Sequence, residues 1–159
     1  MAAPHSPFAG CDTSRDEWVS ADRHELVARL HLQLRSGPQA AGEGRHALDR
    51  LHGVLDDDRL RELRLLVTEL VTNSIRHGTR PGDWITLDVD INPDAVRVVV
   101  RDRGPGFQPQ PKPEPHHDRP GGWGLCLVDR LADRWGVDAD AGTAVWFEMD
   151  RCRRFAAAA

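Results

Sequence analysis

The segment TELVTNSIRHG, residues 68–78, places a carboxylate, an amide and an imidazole in an otherwise apolar helical pattern. Glu69, Asn73 and His77 recur every four residues, and because an α-helix turns by about 100° per residue, they are predicted to lie on one face. Such a polar stripe on a buried helix is either a hydrogen-bonded pair with a structural role or part of a binding site. The other polar motifs of the chain decide between these interpretations.

A second polar motif follows a predicted strand. In VRDRGPGF the strand ends at Asp102, and Gly104 and Gly106 follow in a bend. Glycine permits positive φ and lets a ligand approach the backbone closely. An ionised carboxylate only accepts hydrogen bonds, so Asp102 is suited to bind a donor such as an exocyclic amine.

Two further motifs complete the set. In PGGWGL, the glycines Gly121, Gly122 and Gly124 open a predicted helix, where free N–H groups and the helix dipole favour an anion. In GTAVWFEM, Thr143 begins the last predicted strand. Each glycine motif is weak evidence alone, so a functional interpretation depends on all four motifs occurring in this order.

The elements that would hold these motifs are predicted from hydrophobic spacing, which has a period of two in strands and about 3.6 in helices. Asp56, Asp57 and Asp58 supply an N-cap and a negative first turn for a central helix that is predicted to run to Gly78. The predicted elements are a strand at 26–34, a helix from 37 through 55, the central helix, a hairpin of strands at 85–91 and 96–100, a proline-rich lid at 104–122, a short helix at 125–131, and strands at 135–137 and 143–149.

This order of elements predicts an α+β fold. We expect a two-layer sandwich in which one mixed, mostly antiparallel sheet is covered by helices on one face. The ordered domain is predicted at 21–152, with a disordered tail at 1–20 and a short tail at 153–159.

Composition and charge narrow the classes of function. The chain has 159 residues, of which 40% are hydrophobic and 29% charged, as in an ordinary globular domain. A net charge of −4 gives no reason to expect direct binding to nucleic acid or to an anionic membrane. The three cysteines are scattered without CxxC spacing, which favours neither a disulfide framework nor a zinc site. Since no signal peptide or long apolar run is present, the expected location is the cytoplasm.

Taken together, TELVTNSIRHG, VRDRGPGF and GGWGLCLVDRLADRWGV resemble the motifs of the Bergerat-fold ATPases. This group includes gyrase-type topoisomerases, the large heat-shock chaperone, sensor histidine kinases and the bacterial anti-sigma-factor serine/threonine kinases. The motifs are most similar to those of the anti-sigma-factor kinases, and the resemblance spans roughly residues 26–149. It implies the Bergerat fold with an ATP lid.

The resemblance also implies roles for the motif residues. Asn73 would bind Mg²⁺, and Glu69, one helical turn earlier, would be the general base. Asp102 would accept a hydrogen bond from the adenine amino group, and Thr143 would lie near the adenine. The glycines would shape the two ends of the site, Gly104 and Gly106 at the adenine and Gly121, Gly122 and Gly124 along the phosphates. These residue types suit the chemistry, since Mg²⁺ takes few protein ligands and a kinase acceptor hydroxyl needs a carboxylate to take its proton.

Other conspicuous residues receive plainer interpretations. Trp123 departs from the family, in which many relatives carry Arg or a smaller apolar residue, and Arg119 is the nearest cation for the γ-phosphate. His77 is expected to have a structural role near the helix C-terminus. His116 and His117 are interpreted as residues of a proline-rich loop rather than metal ligands.

Two functions are compatible with the resemblance. In the first, the chain binds ATP and Mg²⁺, binds a sigma factor, and phosphorylates a serine on an anti-sigma-factor antagonist. In the alternative, it is a non-catalytic nucleotide-binding switch that sequesters a regulatory partner. The intact pair of Glu69 and Asn73 favours the kinase. A homodimer is compatible with either function, and neither implies contact with nucleic acid or with a membrane.

Overall fold

The computed structural model describes residues 26–106, 124–139 and 141–152. The two predicted tails and most of the predicted lid lie outside the described residues. The elements are, in order, β1 (Ala28–Arg35), α1 (Ala40–Ala47), a 3₁₀ turn (Leu48–Leu51), α2 (Asp57–Asn73), a π turn (Ser74–Gly78), β2 (Trp84–Ile91), β3 (Ala95–Asp102), α3 (Gly124–Leu131), β4 (Arg134–Asp138) and β5 (Thr143–Asp150). This succession of strands and helices is the one that the sequence predicts.

The five strands form one sheet in the order β1-β2-β3-β5-β4. All four neighbouring pairs are antiparallel. The α+β prediction is therefore confirmed, and among these described strands the sheet has none of the parallel pairs that a mixed sheet would include. Because β3 and β5 are antiparallel neighbours, the end of β3 and the start of β5 meet at one end of the sheet.

One face of the sheet is buried beneath the helices. Along β2 and β3 buried residues alternate with more exposed ones, as the period of two predicts. The fully buried residues of these two strands are Ile85, Leu87, Val89, Ile91, Val96, Val98 and Val100. Burying one such side chain contributes about 1.5–3 kcal/mol, so this layer is a main source of the attachment of the helices to the sheet.

Helix α1 approaches the sheet closely at Gly44. A Cβ at this position would lie 3.3 Å from Leu34 Cδ1 and 3.6 Å from Leu87 Cδ2. Gly44 therefore has a packing role, although glycine lowers helix propensity. The α-helix is shorter than the predicted 37–55, because it passes into the 3₁₀ turn and the chain then reverses at Gly53, whose φ is +83°.

Helix α2 is the central helix that the sequence predicts. Asp56 caps it, since its side chain accepts a hydrogen bond of 2.8 Å from the Arg59 N–H. Its inward residues include Leu63, Leu66, Val67, Leu70 and Val71, all buried. The helix continues to the predicted glycine at 78, but its last five residues form the π turn, which is a wider winding often found at functional sites. Neither α2 nor any other helix of the described ranges is long and apolar enough to cross a membrane.

Candidate functional site

The adjoining ends of β3 and β5 bring two of the predicted site residues together. Their antiparallel register pairs Asp102 with Thr143, and both residues are buried. The Gly106 N–H donates a hydrogen bond of 3.0 Å to Thr143 Oγ1. Gly106 has a φ of +75°, which glycine adopts without strain. The bend after β3 is thereby tied to the first residue of β5.

The carboxylate of Asp102 has acceptor capacity left for a ligand. Its Oδ1 accepts a hydrogen bond of 2.7 Å from the Gly104 N–H. Donors elsewhere in the described ranges make no further hydrogen bond to it, whereas an ionised carboxylate can accept about four. The residue is only 8% exposed, so a ligand donor that reached the other oxygen would be largely removed from water. This environment fits an exocyclic amine such as that of adenine.

Three glycines lie close to Asp102, and a side chain at any of these three positions would clash with its surroundings. A Cβ at Gly78 would lie 2.2 Å from Asp102 Oδ2, and one at Gly142 would lie 2.3 Å from the Asp102 carbonyl oxygen. A Cβ at Gly104 would lie 2.6 Å from Gly78 Cα. Sequence reasoning includes Gly104 in the site but misses Gly78 and Gly142. The available signal is adjacency, since Gly78 closes the first motif and Gly142 immediately precedes Thr143.

A second part of the site lies where α3 meets α2. Glu69 and Asn73 are both half-buried, and Gly124, the first residue of α3, is buried against them. A Cβ at Gly124 would lie 2.6 Å from Asn73 Nδ2 and 3.3 Å from Glu69 Oε2. The start of α3, where backbone N–H groups lack helical partners, therefore lies beside a carboxylate and an amide. Such a helix start favours a bound anion.

His77 does not share the environment of the other two polar residues of the stripe. It lies in the π turn and is exposed, whereas Glu69 and Asn73 are half-buried. The structural role expected for it near the end of the helix stays a prediction.

The other residues predicted for the phosphate end belong to the segment before α3. Gly121 and Gly122 lie outside the described residues, as do Arg119, Trp123 and the pair of histidines at 116–117. The phosphate end of the site is therefore represented by Gly124 and its two neighbours on α2.

The two parts of the site are held by the C-terminal portion of one helix. Asp102 packs on Gly78 in the π turn, and Gly124 packs on Asn73. Gly78 lies five positions after Asn73, which at the α-helical rise corresponds to about 7.5 Å along the helix axis. The arrangement offers an acceptor for an amine at one part and an anion-favouring helix start with a carboxylate and an amide at the other. The residues present thus fit a nucleotide with its metal ion.

The sequence of this chain matches a known protein family. The family described as the histidine kinase-like ATPase domain matches residues 34–149 of this chain. An anti-sigma F factor of Geobacillus stearothermophilus is 28% identical over 138 residues, which cover 79% of this chain and 94% of that protein. A serine-protein kinase RsbW of Listeria innocua is 28% identical over 132 residues, which cover 74% of this chain and 83% of that protein.

A solved structure shows the same fold. The structure of the RsbU and RsbW domains of a Mycobacterium tuberculosis protein aligns with a TM-score of 0.59 at 21% identity. The alignment covers 78% of this chain but only 32% of the other, so this chain spans about a third of that longer protein. The resemblance predicted from the motifs is confirmed by the family match, which extends over more than half of the sequence. This chain belongs to the family of histidine kinase-like ATPase domains.

Proposed function

We propose that the chain is an ATP-dependent protein serine/threonine kinase of the anti-sigma-factor type. In this function it binds a sigma factor and phosphorylates a serine on an anti-sigma-factor antagonist. Membership of an ATPase family and the names of the two relatives support the proposal. The observation that carries it is the packing of Gly124 on Glu69 and Asn73. In the proposal, the helix start binds phosphate oxygens, and the two side chains beside it act as metal ligand and general base.

The proposed binding roles follow from the chemistry of each group. Mg-ATP supplies the phosphoryl group that is transferred. The Asn73 amide oxygen would hold Mg²⁺, whose charge would offset the negative charge of the phosphates. The N–H groups at the start of α3, together with Gly121 and Gly122, bind phosphate oxygens. Asp102 accepts a hydrogen bond from the adenine amino group beside Thr143, and this contact selects the base.

Glu69 is the proposed general base. It lies one helical turn before Asn73, so the base and the metal ligand occupy neighbouring positions on α2. Its Oε2 lies on the side that faces Gly124. In this position the carboxylate orients the serine hydroxyl of the antagonist and accepts its proton as the hydroxyl oxygen bonds to the γ-phosphorus of ATP. The bond from that phosphorus to the β–γ bridging oxygen breaks, and ADP leaves.

A phosphorylation assay tests the proposal. The purified chain is incubated with ATP labelled at the γ-phosphate and with candidate antagonist proteins, and labelled residues are mapped by mass spectrometry. We expect phosphoserine on one antagonist, dependent on Mg²⁺ and absent when the chain is omitted. A chain that binds ATP and retains a purified sigma factor but labels no antagonist would instead be the non-catalytic switch.

The proposed partners and setting can be tested separately. A purified sigma factor should co-elute with the chain in gel filtration, and an antagonist should displace it. We also propose a cytoplasmic location and a homodimer, and sedimentation of the free chain would measure the latter.

A further inference from the structure

The contact between Gly78 and Asp102 joins two motifs that are distant in the sequence. The three heavy atoms nearest to a Cβ at position 78 all belong to the Asp102 carboxyl group, with Oδ2 at 2.2 Å, Cγ at 2.3 Å and Oδ1 at 2.4 Å. Heavy atoms make favourable contact at about 3.5–4.0 Å, so these separations are far too short. The carboxylate therefore occupies the space that any side chain at position 78 would fill.

Glycine is required at position 78 for space and not for its backbone angle. The described glycines with positive φ are Gly53, Gly82, Gly106 and Gly142, and Gly78 is not one of them. Its backbone would accept alanine, which is also the better helix former. A residue that opposes local helix propensity without a conformational reason is typical of a functional position.

The π turn that carries Gly78 is held by a chain of hydroxyl groups. Thr79 Oγ1 donates a hydrogen bond of 3.0 Å to the Ser74 carbonyl oxygen. Since its proton is used there, the 2.6 Å bond between Thr79 and Ser36 has the Ser36 hydroxyl as donor. Ser36 and Ser74 are both buried. This link ties the end of the helix to the end of β1 and fixes the distance between Gly78 and the sheet.

We infer that Gly78 is a positioning residue for adenine recognition, because it holds the Asp102 carboxylate in the orientation that binds the 6-amino group. The inference rests on the proposed function, in which Asp102 contacts adenine. Gly78 confines the carboxylate on one side, and the Gly104 N–H fixes Oδ1 at 2.7 Å on another.

The effect of a methyl group at position 78 follows from these contacts. The backbone of Asp102 is held by its pairing with Thr143 and by the close approach of Gly142, so it cannot move away from the added methyl group. Rotation of the Asp102 side chain would remove the clash at the lowest cost in free energy, and it would break the hydrogen bond from the Gly104 N–H. The fold then persists, but the carboxylate no longer faces the amino group.

Binding of two nucleotides to the full chain tests this inference. The probes are ATP and purine riboside triphosphate, which lacks the 6-amino group, each measured by calorimetry with Mg²⁺. The wild type should prefer ATP by about 10- to 100-fold, as expected for a hydrogen bond to a charged group. In Gly78→Ala the preference should fall to less than about 3-fold, mainly through weaker ATP binding, while the far-ultraviolet circular dichroism is unchanged. A purely structural role would lower the melting temperature and leave the preference intact.

Two matched variants make the outcome decisive. Gly42→Ala is the same substitution in helix α1, where a Cβ meets nothing within 4 Å, and it should keep the full preference. Asp102→Ala should lose the preference as Gly78→Ala does. If Asp102→Ala loses it and Gly78→Ala keeps it, the inference about Gly78 is overturned and the proposed function stands. If Asp102→Ala keeps it, the adenine contact in the proposed function is wrong and the inference falls with it.

A stability measurement covers the case in which Gly78→Ala folds poorly. Removing the carboxylate makes room for the methyl group, so Gly78→Ala/Asp102→Ala should melt at a higher temperature than Gly78→Ala. A double variant that melts no higher than Gly78→Ala would overturn the inference, because the methyl group would then conflict with something other than Asp102.

Discussion

The Gly124→Ala variant adds one methyl group where α3 meets Glu69 and Asn73. That carbon would lie 2.6 Å from Asn73 Nδ2 and 3.3 Å from Glu69 Oε2, whereas heavy-atom contacts are optimal at about 3.5–4.0 Å. Overpacking of this kind costs about 1–3 kcal/mol, and the better helix propensity of alanine offsets up to about 1 kcal/mol of that cost. We therefore expect the free energy of unfolding to fall by about 0–3 kcal/mol and the Asn73 amide to turn away from its position.

A turned amide should weaken the Mg-dependent binding of ATP by about 10-fold, which corresponds to about 1.4 kcal/mol. In thermal melts with ATP well above its Kd, this loss should remove about 5 °C of the stabilisation by ligand. The assay compares melting temperatures with and without Mg-ATP for the wild type, Gly124→Ala and the control Gly42→Ala. If ATP raises the melting temperature of Gly124→Ala as much as that of Gly42→Ala, the contact between α3 and the two side chains has no part in nucleotide binding.

Two further variants test the metal ligand and the helix cap. Asn73→Ala should weaken ATP binding by about 10-fold or more in Mg²⁺ and have little effect in EDTA, because it removes the proposed protein ligand of the metal. Calorimetry in Mg²⁺ that gives equal ATP affinities for the wild type and the variant would exclude that role. Asp56→Ala should lower the free energy of unfolding by about 1 kcal/mol, since it removes the 2.8 Å cap to the Arg59 N–H. Asp58→Ala removes an exposed ion pair with Arg61 and should change the free energy of unfolding less. A denaturant titration that ranks the two variants in the opposite order would contradict the capping argument.

Most of the fold is predictable because its signals are local in the sequence. Alternation over Ile85, Leu87 and Val89 needs only neighbours two positions away, and the structure buries all three on one face. The cap at Asp56 needs only the residue three positions later. The bend after Asp102 is signalled by the glycines of its own motif. These elements follow from short-range chemistry that a single sequence displays.

What the sequence does not show depends on contacts between distant segments. Four-residue spacing predicts that α2 continues as a regular helix to Gly78. The structure instead has a π turn there, next to a hydroxyl contact between Thr79 and Ser36, the residue that follows β1. Gly44 is weak in a helix, yet its missing side chain admits Leu34 and Leu87 of the sheet. The order β3-β5-β4, in which the last strand lies between two earlier ones, is a long-range arrangement that hydrophobic spacing does not signal.

The same limit applies to the candidate site. Glu69 and Asn73 are conspicuous because they interrupt an apolar helix, and Asp102 because it ends an apolar strand. Gly78 resembles any glycine that ends a helix. Its second role becomes visible only when the sheet places the Asp102 carboxylate against it.

The central claim is that this chain transfers phosphate with Glu69 as the base, and the rate of transfer by Glu69→Gln tests it most directly. The measurement is a single-turnover rate with saturating labelled Mg-ATP and an antagonist that the wild type phosphorylates. The glutamine keeps the size and hydrogen-bonding shape of the side chain but cannot take a proton. We predict a rate lower by about 10²–10⁴-fold, nearer the lower figure because phosphoryl transfer depends chiefly on positioning, with ATP affinity nearly unchanged. A rate equal to that of the wild type, or a wild type that phosphorylates no antagonist, would contradict the claim.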